Sequence, residues 1–448
     1  MNKKITYILL IAVFFLLTAF VVVRYSIHHY KLENATYPLH ERKNAISTAV
    51  EWEATKKTAQ QLIERIKNNP DDVKAALALS SLYIQESRIT GDNMYYDAAA
   101  MKYINGVLDK HIDNFEALSL KSLLYMSQHH FADGLAIAEK AQKINPYNAL
   151  IYGMLIDGNV EMGNYKAAVE NSDKMISTRP DIRSYSRISY LREIYGDYPG
   201  AIEAMKLAVG AGGPGDEPTE WTRIQLARLY ENTGDLKNAE MHYLIALQER
   251  PGYGFANAGL GHVAISNKDY TKAISYYEKA AATLNDYSIQ EQLSQLYRLN
   301  ANKDKANILL QDLIDKMNND EKKSDNDENI GHYADRELAY AYLLNNDNEN
   351  ALKHALIEYN RRPLNIDVNE TVAWVYYKMK KYDKALSYLQ AALKTNSKNP
   401  TLLCKAGLIY SYNGKKDSSK IILQQALKNN PNIDVDLITE SENVLRSL

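Results

Sequence analysis

Two consecutive segments, IDVNETVAWVYYKMKKYDKALSYLQAALKTNSKN (366–399) and PTLLCKAGLIYSYNGKKDSSKIILQQALKNNPNI (400–433), repeat one pattern at an interval of 34 residues. The segment GFANAGLGHVAISNKDYTKAISYYEKAAATLNDY (254–287) shows the pattern a third time. Each has small residues at its eighth, twentieth and twenty-seventh places: Gly261, Ala373, Gly407; Ala273, Ala385, Ser419; Ala280, Ala392, Ala426. Bulky and small residues lie three or four apart in each half, and a polar turn separates the halves. The pattern therefore predicts two amphipathic helices joined as a hairpin.

A single hairpin of this kind cannot cover its own apolar face, so successive hairpins must stack. The pattern resembles the tetratricopeptide repeat, whose proline at the thirty-second place corresponds here to Pro146, Pro180, Pro251, Pro363 and Pro431. Extended in both directions, the frame gives about ten units. They begin near Val73, Phe115, Ala149, Ile182, Glu220, Gly254, Tyr287, His332, Ile366 and Pro400.

The resemblance implies an all-α, right-handed superhelical solenoid of tetratricopeptide hairpins. Units 1–7 are expected over 73–320 and units 8–10 over 332–433, with a polar linker at 321–331 between them. A juxtamembrane segment with a cap helix (25–72) and a capping helix (434–448) are expected to cover the two ends of the stack.

The tyrosine content supports this frame, because the chain has 34 tyrosines against 6 phenylalanines. Nine of the tyrosines recur at two places of the repeat. Tyr83, Tyr125, Tyr230, Tyr297, Tyr342, Tyr376 and Tyr410 occupy the eleventh place, and Tyr243 and Tyr277 occupy the twenty-fourth. An aromatic stripe at helical spacing predicts packing between helices rather than a cofactor site.

The N-terminus, MNKKITYILLIAVFFLLTAFVVVR (1–24), has an apolar run from Ile5 to Val23 between Lys4 and Arg24. A helix of that length, at ~1.5 Å per residue, approaches the ~30 Å of a bilayer core. The run lacks an Ala-x-Ala exit, which favours an uncleaved transmembrane anchor over a cleaved signal peptide. The short basic head favours a cytoplasmic N-terminus, with the repeat body on the extracytoplasmic, periplasmic side.

The fourth unit ends in a glycine- and proline-rich break, within SYSRISYLREIYGDYPGAIEAMKLAVGAGGPGDEP (184–218). With the following residues TEWTRIQLARLYENTG (219–234), this stretch resembles a block found in a bacterial subgroup of these repeat proteins with an N-terminal membrane anchor. Two interpretations of the loop 210–218 are open. It is either a tolerated surface insertion or a lip beside the binding groove.

The motifs of catalysis and metal binding do not occur. The sequence has no His-Glu-x-x-His and no Gly-x-Ser-x-Gly, and its histidines show no ligand spacing. The lone Cys404 excludes an intrachain disulfide and a cysteine zinc site. A net charge of −2 provides no basic field for nucleic acid. We therefore expect no enzymatic activity, no metal, no cofactor and no nucleic-acid partner.

In tetratricopeptide stacks the concave surface is lined by the first helix of each unit, at its second, fifth, ninth and twelfth places. Carried onto this frame, the middle and late units present ten groove candidates: Trp221, Arg228, Phe255, His262, Arg298, Tyr333, Arg336, Tyr340, Trp374 and Tyr377. Arginine interleaved with aromatic rings suits an extended peptide or a partner helix.

The resemblance thus implies a membrane-tethered, non-catalytic scaffold that binds a protein or peptide partner in envelope assembly or a membrane complex. The alternative is a receptor for glycans or small molecules, because aromatic-lined concave surfaces also stack sugar rings.

Overall fold

A computed structural model describes residues 3–33, 37–42, 49–326, 331–428 and 434–448. Over these ranges the chain forms 23 helices and no strand. The helices are α1 (Lys3–Glu33), α2 (Ala49–Asn68), α3 (Val73–Thr90), α4 (Asn93–Lys110), α5 (Phe115–Ser127), α6 (Phe131–Ile144), α7 (Ala149–Glu161), α8 (Tyr165–Thr178), α9 (Ile182–Ile194), α10 (Tyr198–Gly210), α11 (Glu217–Asn232), α12 (Leu236–Glu249), α13 (Gly254–Ser266), α14 (Tyr270–Thr283), α15 (Tyr287–Leu299), α16 (Lys303–Asn326), α17 (Asp335–Leu344), α18 (Asn348–Arg361), α19 (Ile366–Lys378), α20 (Tyr382–Ala392), α21 (Pro400–Tyr412), α22 (Lys416–Lys428) and α23 (Val435–Ser447).

The helices α3 to α22 pair into ten consecutive hairpins, which we call units 1 to 10. Most of the first helices begin after an Asp or Asn whose side chain accepts a hydrogen bond from the first turn, as Asp72 does from Ala75 and Asn365 from Val368. Every turn between the paired helices contains one residue with a left-handed backbone. These residues are Gly91, His129, Gly163, Gly196, Gly234, Lys268, Ala301, Asn346, Lys380 and Gly414.

Small residues let the two helices of a hairpin approach closely. A Cβ atom on Gly261 would lie 2.6 Å from the ring of Tyr277, and one on Gly407 would lie 2.5 Å from Leu423. Ala280 shows no exposed surface. The repeated tyrosines pack as predicted: Tyr83, Tyr230, Tyr243, Tyr277, Tyr297 and Tyr376 are buried, and Tyr125, Tyr342 and Tyr410 are partly buried against the same clusters.

The superhelix folds back on itself, so that successive layers touch. The turn of each of units 1 to 4 packs on the junction that follows the fifth unit downstream. The Asn285 N–H donates to the Thr90 carbonyl (3.2 Å), and the Tyr333 N–H donates to the Gln128 carbonyl (3.1 Å). In the same way, the turn at Gly163 lies against Leu364 and the turn at Gly196 lies against Asn396. We call these four regions the layer contacts.

The segments outside the hairpins differ in part from the sequence prediction. The helix α1 continues to Glu33, past the predicted end of the anchor at residue 24. The helix α16 runs to Asn326, so the first six residues of the predicted linker 321–331 are helical, and residues 327–330 lie outside the described chain. The helices α2 and α23 occupy the two predicted caps.

Side chains in α1 are described for Tyr7 and for residues 10–24, and the large apolar ones are exposed, with Leu16 at 70 %. The side chains of residues 5, 6, 8 and 9, which belong to the predicted anchor, lie outside the described part. Among the residues that are described, no helix combines the length and apolar character that crossing a membrane requires.

Replacing Gly163 by Ala should destabilise the protein more than replacing Gly414 by Ala. Both glycines have a left-handed backbone, so each alanine adds strain of roughly 1 kcal/mol. At Gly163 the new methyl group would also overlap the Leu364 carbonyl, whereas nothing lies within 4 Å of the methyl group at Gly414. Urea unfolding followed by circular dichroism measures the difference, and equal losses would contradict the layer contact.

Candidate partner-binding cavity

The first helices of all ten units line one cavity with a volume of 2260 Å³, which we call the central cavity. The layer contacts bring the early units beside the late ones around this cavity. Ser81 of unit 1, Arg187 of unit 4 and Lys405 of unit 10 therefore line the same space. The sequence frame predicted an open groove.

Five of the ten groove candidates line the central cavity: Trp221, Arg228, His262, Arg336 and Tyr340. The guanidinium carbon of Arg88 lies 5.9 Å from the ring centre of Trp221. His262 Nδ1 lies 3.7 Å from Glu231. These residues combine aromatic surface with charge on the wall of the central cavity.

The other five candidates lie outside the lining. Phe255 packs between two core clusters, and Arg298 donates to the Leu344 carbonyl (3.1 Å). Tyr333 lies in a layer contact, where its ring stacks on His130 (4.0 Å). Trp374 and Tyr377 are buried and stacked on each other at 4.9 Å.

The late units explain why Trp374 and Tyr377 are covered. The Tyr377 hydroxyl donates to Glu440 of α23 (2.6 Å), and Lys405 of the next unit lies 5.3 Å from the Trp374 ring centre. The capping helix and the adjacent hairpin therefore occupy the surface that these two aromatic residues were expected to offer.

A charged network on the cavity wall joins units 8, 9 and 10. The Lys405 ammonium binds the Glu370 carboxylate and donates to the Tyr340 hydroxyl (3.1 Å), which donates to Glu370 (2.8 Å). Burial alone opposes ionisation of Glu370, but the charges of Lys405 and Arg336 outweigh it and lower the pKa of that carboxyl. The network is thus an ion pair fixed by hydrogen bonds.

Most arginines of the cavity are already paired within the protein. Arg187 makes two hydrogen bonds to Asp157 (2.9 and 2.6 Å), and Arg88 binds Glu217. Arg250 donates to Glu51 (3.1 Å) and so ties α2 to unit 5. These three arginines, none of which is among the ten groove candidates, are thus engaged with carboxylates of the protein itself.

The lining is acidic, because its carboxylates outnumber its Lys and Arg side chains by two to one. Burial raises the pKa of Asp97 and of Glu161 to about 7 and also raises the pKa of Glu193. The Glu193 carboxylate accepts a hydrogen bond from the neutral amide of Asn232 (3.2 Å). These carboxylates are held where an added positive charge would be favourable.

The sequence contained a signal for this acidic lining. Asp157, Glu193 and Glu370 occupy the ninth, twelfth and fifth places of their units, which are the places expected to face the concave surface. The ten groove candidates include only arginine, histidine and aromatic residues, so these three carboxylates are not among them. Lys405 occupies a sixth place and lies outside that rule.

The glycine- and proline-rich loop also lines the cavity, through residues 211–219. The Gly215 carbonyl accepts a hydrogen bond from Arg250 (2.7 Å), and the Gly215 N–H donates to Glu220 (3.1 Å). Arg88 of unit 1 holds the end of the loop through Glu217. The loop therefore lies beside the central cavity, and whether it acts as a lip for a bound partner stays a prediction.

Replacing Asp97 by Asn should stabilise the protein at pH 8 and change little at pH 4. The pKa of Asp97 is about 7 in the folded protein and ordinarily 3.8, so the folded state binds the proton more tightly. The free energy of unfolding therefore falls by up to about 4 kcal/mol as the pH rises from about 4 to about 7. Urea unfolding at the two pH values measures this contribution.

Replacing Glu370 by Gln is the matched comparison and should destabilise the protein by about 3 kcal/mol, because Lys405 would remain buried without its counter-charge. A gain of stability in this variant, or a gain from Asp97→Asn that does not depend on pH, would contradict the charge assignments.

Comparison with known proteins agrees with the repeat frame. Family models described as tetratricopeptide repeat match residues 224–288, 366–399 and 400–433. The last two matches have the same bounds as the two segments that defined the pattern. A comparison with curated proteins gave no match.

Three solved structures illustrate the structural similarity. A tetratricopeptide repeat protein from Parabacteroides merdae is 15% identical, covers 55% of this chain and 94% of its own, and superposes with a TM-score of 0.42. The human IFIT1 dimer with PPP-AAAA is 14% identical over 84% of this chain and 88% of that chain, with a TM-score of 0.45. The APC/C hetero-tetramer Cut9-Hcn1 is 14% identical over 89% and 94%, with a TM-score of 0.32. The family-model matches show that the chain contains tetratricopeptide repeats, and the residues that the structure describes form helices and no strand.

Proposed function

We propose that this protein is a non-catalytic scaffold that binds a basic, extended segment of a partner protein in the central cavity. Helical repeats of this type typically mediate protein interactions, through the extended concave surface that stacking creates. The observation that carries the proposal is the excess of carboxylates in that surface.

The charge distribution favours a basic partner over an acidic one. The ion pairs of Arg88, Arg187 and Lys405 use part of the positive charge of the wall internally, and Arg228 lies near enough to Glu193 for their charges to attract. Glu193 has a neutral hydrogen-bond partner, and Asp367 is an exposed carboxylate on the same wall. Lysine and arginine side chains of a bound segment would supply the missing positive charge, whereas phosphate groups would be repelled.

The aromatic residues of the wall suit the same occupant. Trp221 and Tyr340 already lie beside cations of the protein, with Arg88 at 5.9 Å and Lys405 at 4.8 Å from the respective ring centres, so this wall accommodates Lys and Arg side chains against aromatic rings. The volume of 2260 Å³ exceeds the roughly 300–1,000 Å³ of pockets that hold small molecules. Size therefore favours a polypeptide segment over the alternative of a single glycan unit or small molecule.

The proposal predicts that the full chain binds a labelled peptide of about ten residues rich in Lys and Arg, and binds a Glu-rich peptide of equal length much more weakly. Fluorescence anisotropy measures both affinities, and the first should fall with added salt because charge pairs are screened. Preference for the acidic peptide, or no binding of either, would refute the proposed partner chemistry.

Replacing Glu193 by Gln should weaken binding of the basic peptide roughly fivefold to tenfold, because the substitution removes one charge-assisted hydrogen bond. Glu139→Gln is the matched control, since Glu139 is exposed on α6, the second helix of its unit. An equal effect of the two substitutions would show that binding depends on overall charge and not on the cavity.

We further propose that the N-terminal segment attaches the protein to a membrane and that the repeat body is extracytoplasmic. Support comes from the apolar run Ile5–Val23 and from the exposure of the described apolar side chains of α1, which do not pack on the repeats. When the outer barrier of the cells is permeabilised and the inner membrane is left intact, added protease should degrade a C-terminal tag. Protection of the tag until the inner membrane is lysed would reverse the orientation.

A further inference from the structure

The layer contact between unit 2 and unit 8 brings together three side chains that can bind a metal ion. His129, His332 and Glu337 each offer one ligand atom, and these atoms lie within 4.8 Å of one another. The ring centres of the two histidines are 4.1 Å apart. The sequence analysis predicted no metal site, because these histidines belong to units that are distant in the chain.

The backbone fixes the positions of the three side chains. His129 is the left-handed residue of the unit 2 turn, with φ of 63°. His332 immediately precedes Tyr333, whose N–H donates to the Gln128 carbonyl, and Glu337 lies in the first turn of α17. The same hydrogen bond that joins the layers therefore holds both histidines in register.

The hydrogen bonding of His129 leaves one ring nitrogen available as a ligand. Its Nδ1 lies 3.0 Å from the Tyr333 carbonyl oxygen. A carbonyl oxygen can only accept, so Nδ1 carries the proton and Nε2 presents its lone pair. Metal-binding histidines are commonly oriented in this way, by a hydrogen bond from the second ring nitrogen to a backbone carbonyl.

The carboxylate of Glu337 provides the second, independent observation. Its Oε2 atom is buried and has no hydrogen-bond partner among the residues that the structure describes. A buried carboxylate oxygen without a partner is costly. Glu291 lies close enough for its charge to be repelled by that of Glu337. A bound cation would offset both unfavourable interactions.

The nearby arginines make their ion pairs with other carboxylates, although the charge of Arg336 also acts on Glu337. Arg362 binds Glu161 and Glu358, and Arg336 lies 3.9 Å from Glu370. The comparable cluster of Glu321, Asp335 and His354 is different. There Asp335 is satisfied by His354 (2.6 Å) and by Arg361, so a protein cation occupies the place that a metal would take.

We propose that His129, His332 and Glu337 bind a divalent transition metal that joins two layers of the superhelix. Two imidazole nitrogens and one carboxylate oxygen are the donors of three-ligand zinc sites, with the fourth position open to water. Tetrahedral zinc holds its ligand atoms roughly 3.4 Å apart, so side-chain movements of about 1 Å complete the site. The ion would fasten unit 2 to unit 8 at the wall of the central cavity, which Glu337 also lines.

The test uses the full chain after dialysis against a chelator. Titration with zinc followed by calorimetry should give one equivalent of tight binding, and cobalt(II) should give the visible absorption of a tetrahedral site. His332→Gln and Glu337→Gln should each lose at least tenfold in zinc affinity. His111→Gln is the control and should bind as wild type does, because His111 is exposed at the end of α4.

Circular dichroism of the metal-free variants checks that they fold, and zinc should raise the Tm of wild type but not of Glu337→Gln. The cobalt spectrum of wild type tests the site without relying on the folding of any variant. Absence of stoichiometric binding to wild type, or equal affinity in wild type and the two ligand variants, would overturn the site. Zinc and cobalt binding are measured without peptide, so failure of the metal site is distinguished from failure of peptide binding even though Glu337 also lines the cavity.

Discussion

The structure depends on the close approach of two helices within each hairpin. Side chains as small as Gly261, Gly407 and Ala280 at fixed places allow this approach, and the tyrosine rings fill the space that remains between neighbouring hairpins. Because no hairpin can cover its apolar face alone, every unit requires its neighbour, and the angle set by one interface is repeated along the whole stack. The path of the chain follows from that repetition.

Repetition of the same angle closes the superhelix into touching layers, and closure changes the chemistry of the inner surface. Charges that would face solvent in an open groove become partly buried. Arg362 then pairs with Glu161 across the layers, and burial raises the pKa of that carboxyl to about 7. The same closure brings together residues of distant units at the layer contacts, among them His129 and His332. The acidic cavity and the histidine pair therefore have one structural cause.

The sequence was sufficient to predict what depends on local periodicity. The hairpins, their small contact places and the buried tyrosine stripe all follow from residues within one or two units. It could not predict the layer contacts, because they depend on a small rotation per unit summed over five units. The repeat frame places Trp374 and Tyr377 on the concave surface, but it does not show that Lys405 of the next unit and Glu440 of α23 cover them. The positions of Asp157 and Glu193 on the concave surface could be predicted. The net charge of the cavity wall after ion pairing could not.

Under the proposed function, the layer contacts would also govern how quickly the bound segment is exchanged. A polypeptide entering from the side must separate turns such as Gly91 from Asn285 and Gly163 from Leu364, together with the hydrogen bonds between them. Opening of this kind is a local conformational step, and it delays association and dissociation alike without changing the contacts made once the occupant is inside. A superhelix whose layers are joined at several points is therefore suited to slow release of a bound segment, even where the affinity is modest.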